Sequence, residues 1–246
     1  MCRSSASLSP DLKRLPWTRT VQENDVIMPD VIVYPGPSLA RDKAEAILPS
    51  SVADYRPPVR RGDLETAVLE KPTILCIIDG LFFQDCSVGH REILKLLKAG
   101  TEVYGPSSMG TLRACELEPF GMKGIGRIYS MYLDGIVESD DEVALACDPF
   151  TNEAVSDALV DMRVTFEKAV EEGILSEHER ELLIETASAL YYPKRTYRKV
   201  LKEARGTIPE ETLEKLSVYL KEHPFSQKKE DAKELLRVVA ERVTTV

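Results

Sequence analysis

The sequence predicts an α/β fold: a mostly parallel open sheet of the Rossmann-like or flavodoxin-like kind, followed by a helical C-terminal region. Three observations predict it. Thr73 to Ile78 is uncharged and apolar on both faces, which suits the middle of a parallel sheet covered on both sides. Short apolar runs alternate with helical stretches from residue 31 to residue 117, the pattern of an α/β sheet. After Cys147-Asp148-Pro149 the pattern changes, and residues 156–246 carry helical periodicity, many charges and no convincing strand.

The elements follow in order. Residues 1–28 mix Ser, Pro, Arg and Thr without periodicity and are expected to be a disordered extension. Met28 directly precedes the first strand, which leaves open whether the protein starts there or carries a real extension. Val31 to Tyr34 reads as a buried strand, ended by the tight loop Pro35-Gly36-Pro37-Ser38. Leu39 to Leu48 reads as a helix capped by Ser38, Val52 to Tyr55 as a short strand, and Asp63 to Leu69 as a second helix. Thr73 to Ile78 closes at Asp79-Gly80. Ser87 to Ala99 is a helix with Gly100 as its C-cap. Glu102 to Tyr104 is the next strand. Gly105-Pro106 turns the chain, and Ser107 or Ser108 caps a helix running to about Leu117. The domain boundaries expected from this are 29–150 for the α/β core and 151–246 for the helical region.

Composition narrows the function. The chain has 246 residues, 43% of them hydrophobic, enough for a real core, with 30% charged and a net charge of -9. An acidic chain is a poor nucleic-acid binder, because phosphates need clustered Lys and Arg; the basic stretches at Arg60-Arg61 and Lys194–Arg205 do not reverse the balance. No apolar run reaches the roughly 20 residues of a membrane span, and no apolar segment follows Arg3 as in a secretory signal. A cytoplasmic protein with neither membrane nor nucleic-acid partner is expected. The five cysteines, Cys2, Cys76, Cys86, Cys115 and Cys147, show no CxxC pair or metal-finger spacing, and no metal or cofactor is expected.

Three predicted strand ends converge on one edge: Gly36-Pro37-Ser38, Asp79-Gly80, and Gly105-Pro106-Ser107-Ser108-Met109-Gly110. Helix starts at such an edge offer backbone N–H groups to an anion such as a phosphate, carboxylate or thiocarboxylate; each loop alone also reads as an ordinary turn. His90 shares helical spacing with Ile93, Leu94 and Leu97 and is expected to face the sheet, either as a hydrogen-bonded core histidine or as a general base. Asp79 either orients it or caps the turn. Ser107 and Ser108 are candidate nucleophiles or oxyanion donors, or else N-caps; the loop lacks the GxSxG and P-loop patterns. Arg113 and Glu116 fall on a helix face with Met109, Leu112 and Leu117, as an interlocking ion pair or with Arg113 binding an anionic group. Asp140-Asp141-Glu142 reads as an acid-rich helix start or, with no second ligand cluster visible, a divalent-metal site. Cys115 reads as a small buried thiol or a sulfur acceptor.

Several stretches together resemble the TfuA-like core domain: IIDG at 77–80, VGHREIL at 88–94, GPSSMGTLRACEL at 105–117, GMKGIG at 121–126 and SDDEVALA at 139–146, with GPSL at 36–39 and RRGD at 60–63. The resemblance covers roughly residues 31–200. The chain departs from the pattern at Pro106, Thr111 and Cys115, where Ala is more usual. The resemblance implies a companion of a YcaO enzyme in peptide backbone thioamidation, on methyl-coenzyme M reductase or on a ribosomal peptide. It also implies a second partner, a ThiS-like sulfur carrier ending in a thiocarboxylate from which sulfide is released. On that basis His90, Ser107, Ser108, Arg113 and Asp79 are the expected catalytic residues. Gly36, Pro37, Ser38, Gly80, Gly105, Met109, Gly110 and Glu116 are expected to hold the substrate. An adaptor that activates YcaO without catalysis, and a plain phosphate-binding α/β domain, stand as alternatives.

Overall fold

The computed structural model describes residues 30–82, 86–148 and 153–244; the proposed N-terminal extension lies outside them. Five strands, Val31–Tyr34 (β1), Ala53–Tyr55 (β2), Ile74–Ile77 (β3), Glu102–Pro106 (β4) and Lys123–Ile125 (β5), form one all-parallel sheet in the order β2-β1-β3-β4-β5. This is the flavodoxin-like order, and the run expected to be central, β3, lies in the middle. Val31 pairs with Ile74, Tyr34 with Ile77, Cys76 with Tyr104, and Pro106 with Ile125.

The alternation of side chains along each strand decides which helix covers which face. Val31, Val33, Ile74, Cys76 and Ile78 point to one side. There they meet Ala44 of Arg41–Glu45 (α1), Leu48 just beyond it, and Leu235, Leu236 and Val239 of Gln227–Thr244 (α10). Ile32, Tyr34, Leu75, Ile77 and Val103 point to the other. Asp63–Glu70 (α2), His90–Lys98 (α3) and Met109–Leu117 (α4) cover that side with Leu64, Ala67, Ile93, Leu96, Met109, Ala114 and Leu117. Each large side chain sealed in this way stabilises the fold by about 1.5–3 kcal/mol.

Arg127–Leu133 (α5) follows β5. Leu159–Glu171 (α6), Glu177–Ser188 (α7), Tyr197–Glu203 (α8) and Glu210–Glu222 (α9) then build a core of their own around Phe166, Leu183, Val200 and Leu216. The C-terminal region is helical, as the sequence predicts. Its last helix, α10, crosses back to lie on the sheet. Leu112, Ile128 and Met131 join Val160 and Val164 of α6 in a second seam between the two parts. Charges fasten the same seam. Asp141 accepts from Arg195 at 2.6 Å and Glu142 holds Arg163 at 2.6 Å, so two of the three residues of the acidic cluster serve as struts. Among the described residues no group of acids, His and Cys is arranged to hold a metal, and no helix is long and apolar enough to cross a membrane.

Some local expectations are corrected. The helix after β1 begins at Arg41 without a side-chain cap, because Ser38 is engaged elsewhere. The α3 helix starts at His90; the Gly89 N–H is taken by Glu92 Oε1 at 3.1 Å, and Ser87 Oγ turns back to the Leu81 carbonyl. Gly100 adopts φ 93°, the left-handed conformation that ends a helix.

Candidate functional site

In the order β2-β1-β3-β4-β5, the chain leaves β1 toward one face and β3 toward the other. The carboxyl ends of these neighbours part to form the crevice in which open α/β sheets bind ligands. Asp79 stands there, 3% exposed. Both of its oxygens are occupied by Ser38, Oδ2 accepting the Ser38 N–H at 2.8 Å and Oδ1 the Ser38 Oγ–H at 2.8 Å. The contact is close enough that a Cβ on Gly36 would fall 2.6 Å from the Asp79 Cβ, which requires glycine at 36. Asp79 therefore orients the β1–α1 loop, and not His90.

The β4–α4 loop closes the next side. A side chain on Gly110 would run into the Ile77 carbonyl oxygen, and one on Gly105 into the Gly110 carbonyl oxygen, so α4 rests its first turn directly on the strand ends. Ser107 has φ 66° and no exposure. A non-glycine residue in the left-handed region carries strain that its surroundings must hold. The holding contact is its Oγ–H, which donates to the main-chain carbonyl of Lys228 at 2.6 Å. Ser108 is buried at the N-cap position, but its side chain does not cap the helix.

Lys228, in the first turn of α10, brings the C-terminal helix into the crevice. Its side chain is buried at 1% exposure and its Nζ donates to the Val143 carbonyl at 2.6 Å. Burial pushes the ammonium pKa down, while the negative charges of Asp79 and Asp161 and the Cys147 thiol act in the opposite direction. Asp161 Oδ1 accepts the Lys228 N–H at 3.0 Å and Oδ2 accepts from Ser226 Oγ at 2.9 Å. Asp157 accepts the Tyr197 N–H at 3.0 Å. Burial raises the pKa of both carboxyl groups. Between the β1–α1 loop and these residues lies a cavity of about 180 Å³, lined by Ser38, Ser156, Asp157, Asp161, Phe225 and Lys228, among others.

The other expected residues form a second group, on the helices. His90 is the first residue of α3, and its side chain is 49% exposed. The buried stripe of α3 runs through Glu92, Ile93 and Leu96. His90 sits on the flank of that stripe and leans outward, which corrects the expectation that it faces the sheet. Its Nε2 lies 2.7 Å from Glu116 Oε2, and the same oxygen accepts from Arg113 Nη1 at 2.6 Å. Arg113 Nε also donates to the Val88 carbonyl at 3.0 Å, fixing the guanidinium against the start of α3. The Arg113–Glu116 pair exists, but at a half-open rim and not inside an apolar face. Cys115 is partly buried, and burial together with the neighbouring Glu116 charge pushes its thiol up to about 11, which leaves little thiolate at neutral pH.

The expected residues thus fall into an inner group, Ser38, Asp79, Ser107 and Ser108, and an outer group, His90, Arg113 and Glu116. The family model for TfuA-like proteins matches residues 79–196. Over this span the chain is similar to TfuA-like proteins. The match opens at Asp79 and takes in both the β4–α4 loop and the His90–Glu116–Arg113 cluster. The TfuA-like family is associated with YcaO-linked thioamidation. No match was found among curated proteins. Lys228 lies beyond the matched span and escaped sequence reasoning: a lysine among Lys229, Lys233 and acids reads as an exposed helix face, and only its tertiary position distinguishes it.

Proposed function

We propose that this TfuA-like chain works with a YcaO enzyme in backbone thioamidation by freeing sulfide from a thiocarboxylated, ThiS-like carrier. The observation that carries this reading is the His90–Glu116–Arg113 cluster, in which residues 26 positions apart meet at 2.7 Å on a rim open to a macromolecular partner. The reaction adds water to the carbonyl carbon and breaks its bond to sulfur, so that R–COS⁻ and H₂O give R–COO⁻ and H₂S. It needs a base for the water. With Nε2–H donated to Glu116, the other ring nitrogen, Nδ1, is left with its lone pair to take that proton. Glu116 fixes the tautomer and favours the imidazolium that forms, and Arg113 supplies a cation for the anionic carbonyl group. Asp79, Ser38 and Ser107 hold the neighbouring loops in place.

The test uses the purified protein, a thiocarboxylated carrier and a sulfide assay. Sulfide release by the wild type, reduced about 100-fold or more in His90→Ala and clearly weakened in Arg113→Ala, is the expected result. Release that is the same in all three proteins would overturn the roles given to these side chains. Absence of release, with YcaO thioamidation still stimulated, would make the protein an adaptor.

A further inference from the structure

The basic stretch that begins at Lys194 forms a charged surface that neither the fold nor the proposed hydrolysis uses. Arg198, Lys199 and Lys202 lie on α8. At 3.6 residues per turn, they fall on the side opposite Val200, Leu201 and Ala204, which enter the helical core. Lys194 stands just before them and is exposed, as are Arg198 and Lys202. Among the described residues none of these four side chains forms an ion pair, although the chain carries 41 acids against 32 Lys and Arg. Arg205, by contrast, is paired with Glu210 at 3.3 Å. Like charges four positions apart, as in Arg198 and Lys202, destabilise a helix, so this strip does not serve the stability of α8.

The surface is held in place before any partner arrives. Arg195, without exposure, donates to the carbonyls of Ala187 and Leu190 and to the Asp141 carboxylate, which fixes the turn carrying Lys194. Thr196 Oγ1 accepts the Lys199 N–H at 3.2 Å and starts α8. In the same turn the Lys194 N–H donates to the Tyr191 carbonyl at 2.8 Å. The Tyr191 ring, 66% exposed and edge-on to Tyr192 at 5.1 Å, adds an apolar contact to the cations. Spacing chooses between two kinds of acidic partner. Arg198 and Lys202 are one turn apart, about 6 Å along the helix, which matches carboxylates at i and i+4 of a facing helix. A nucleic acid needs a longer track, since firm binding takes roughly 6–10 phosphate contacts, and away from this strip the field of a chain of net charge -9 opposes an extended polyanion.

We infer that the outer face of α8, with Tyr191 beside it, is a docking surface for an acidic amphipathic helix of a partner protein. Arg198 and Lys202 pair with its carboxylates, and Tyr191 packs against one of its apolar side chains. The inference stands apart from sulfide release, since its test contains neither carrier nor YcaO. The probe is a fluorescein-labelled helical peptide of repeated Glu-Glu-Ala-Leu, added to the full chain at low salt and followed by anisotropy. Its Gln-Gln-Ala-Leu counterpart and a single-stranded oligouridylate of matching charge serve as comparisons. Saturable binding of the acidic peptide is expected, weakened by added salt and absent with the neutral peptide. Arg198→Glu combined with Lys202→Glu is expected to weaken it at least tenfold, and Tyr191→Ala to weaken it measurably. All three side chains are exposed, so these variants keep the fold. Lys43→Glu combined with Lys98→Glu, on exposed residues of the α/β part, makes the same change in net charge and is expected to bind as the wild type does. Four results would each overturn the docking surface: no binding of the acidic peptide, tighter binding of the oligouridylate, an equal loss in the Lys43/Lys98 variant, or an undiminished affinity in the Arg198/Lys202 variant or in Tyr191→Ala. Self-association of the wild type that the Arg198/Lys202 reversal abolishes, seen by sedimentation without peptide, would assign the face to a second copy of this chain and overturn it as well.

Discussion

The hydroxyl of Ser107 donates to the main-chain carbonyl of Lys228 at 2.6 Å, across 121 residues of sequence. This bond fastens the C-terminal helix to the strained turn at the end of β4. It also explains why a serine is held at φ 66°. Ser107→Ala keeps the strain and loses the bond to the Lys228 carbonyl, at a cost of about 0.5–1.5 kcal/mol. Ser107→Gly loses the same bond but relieves roughly 1 kcal/mol of backbone strain. Urea unfolding of both variants should therefore show alanine as the more damaging substitution. The reverse order would mean that the turn is not strained by its φ.

The Asp79–Ser38 pair makes a parallel prediction at the neighbouring strand end. An aspartate there accepts both the N–H and the Oγ–H of Ser38, and an asparagine keeps one acceptor oxygen and sets an NH₂ against the other donor. Asp79→Asn should cost about 1–3 kcal/mol and loosen the β1–α1 loop. Gly36→Ala should do similar damage, since its Cβ has no room beside Asp79. Hydrogen exchange at the Ser38 amide reads the effect directly: protection falls in both variants if the pair holds the loop.

Much of this architecture was legible in the sequence, and the reasons are local. Val31–Tyr34 and Ile74–Ile77 are uninterrupted apolar runs, and both are fully buried strands. β5 was not legible: Lys123, Gly124 and Ile125 contain one glycine and one charge, and only the pairing with Tyr104, Gly105 and Pro106 makes them a strand. The same limit applies to the site. Asp79, Ser107 and Ser108 stand at strand ends and were found by that position. The orientation of His90 was not, because a first-turn residue on the flank of an amphipathic stripe can lean either way, and Glu116 of the next helix decides it. Lys228 depends wholly on a contact with a loop more than a hundred residues earlier.

His90 separates catalytic from structural roles cleanly. Its ring is half exposed and its bond to Glu116 lies at the surface, where single ion pairs contribute about 0–1 kcal/mol. His90→Ala should leave the urea midpoint almost unchanged. If the ring takes a proton from water, the same variant loses sulfide release. Large destabilisation together with intact release would reverse both statements.

Arg195 should behave in the opposite way. Its side chain has no exposure, and it donates to the carbonyls of Ala187, Leu190 and Asp141 and to the Asp141 carboxylate at 2.6 Å. Arg195→Met removes all four bonds and leaves the buried site without its cation, at about 3–5 kcal/mol. Arg195→Lys rescues little, because one ammonium cannot reach partners placed around a planar fork. Asp141→Asn should cost much less, since its side chain is 44% exposed and water replaces part of what is lost. Chemical denaturation of the three variants gives the order, and a mild Arg195→Met would show that this strut does not hold the helical region to the sheet.

Asp231 gives the fold a pH dependence of defined sign. Its carboxylate caps α5, accepting the N–H groups of Arg127 at 3.0 Å and Ile128 at 2.8 Å. Burial outweighs these bonds and pushes the carboxyl up to about 6. A folded pKa above the unfolded one, about 3.9, means that the native state keeps a proton the unfolded chain has released. This contribution to stability is full below about pH 4 and is lost as pH rises through about 6. A shift near two units corresponds to roughly 3 kcal/mol. Asparagine does not titrate, so the stability of Asp231→Asn should gain on that of the wild type between pH 4 and pH 7 by an amount of that order. Urea titrations of both proteins at successive pH values measure the difference, in which the other carboxylates cancel. A difference that stays constant across this range would show that Asp231 releases its proton at the same pH whether the chain is folded or not.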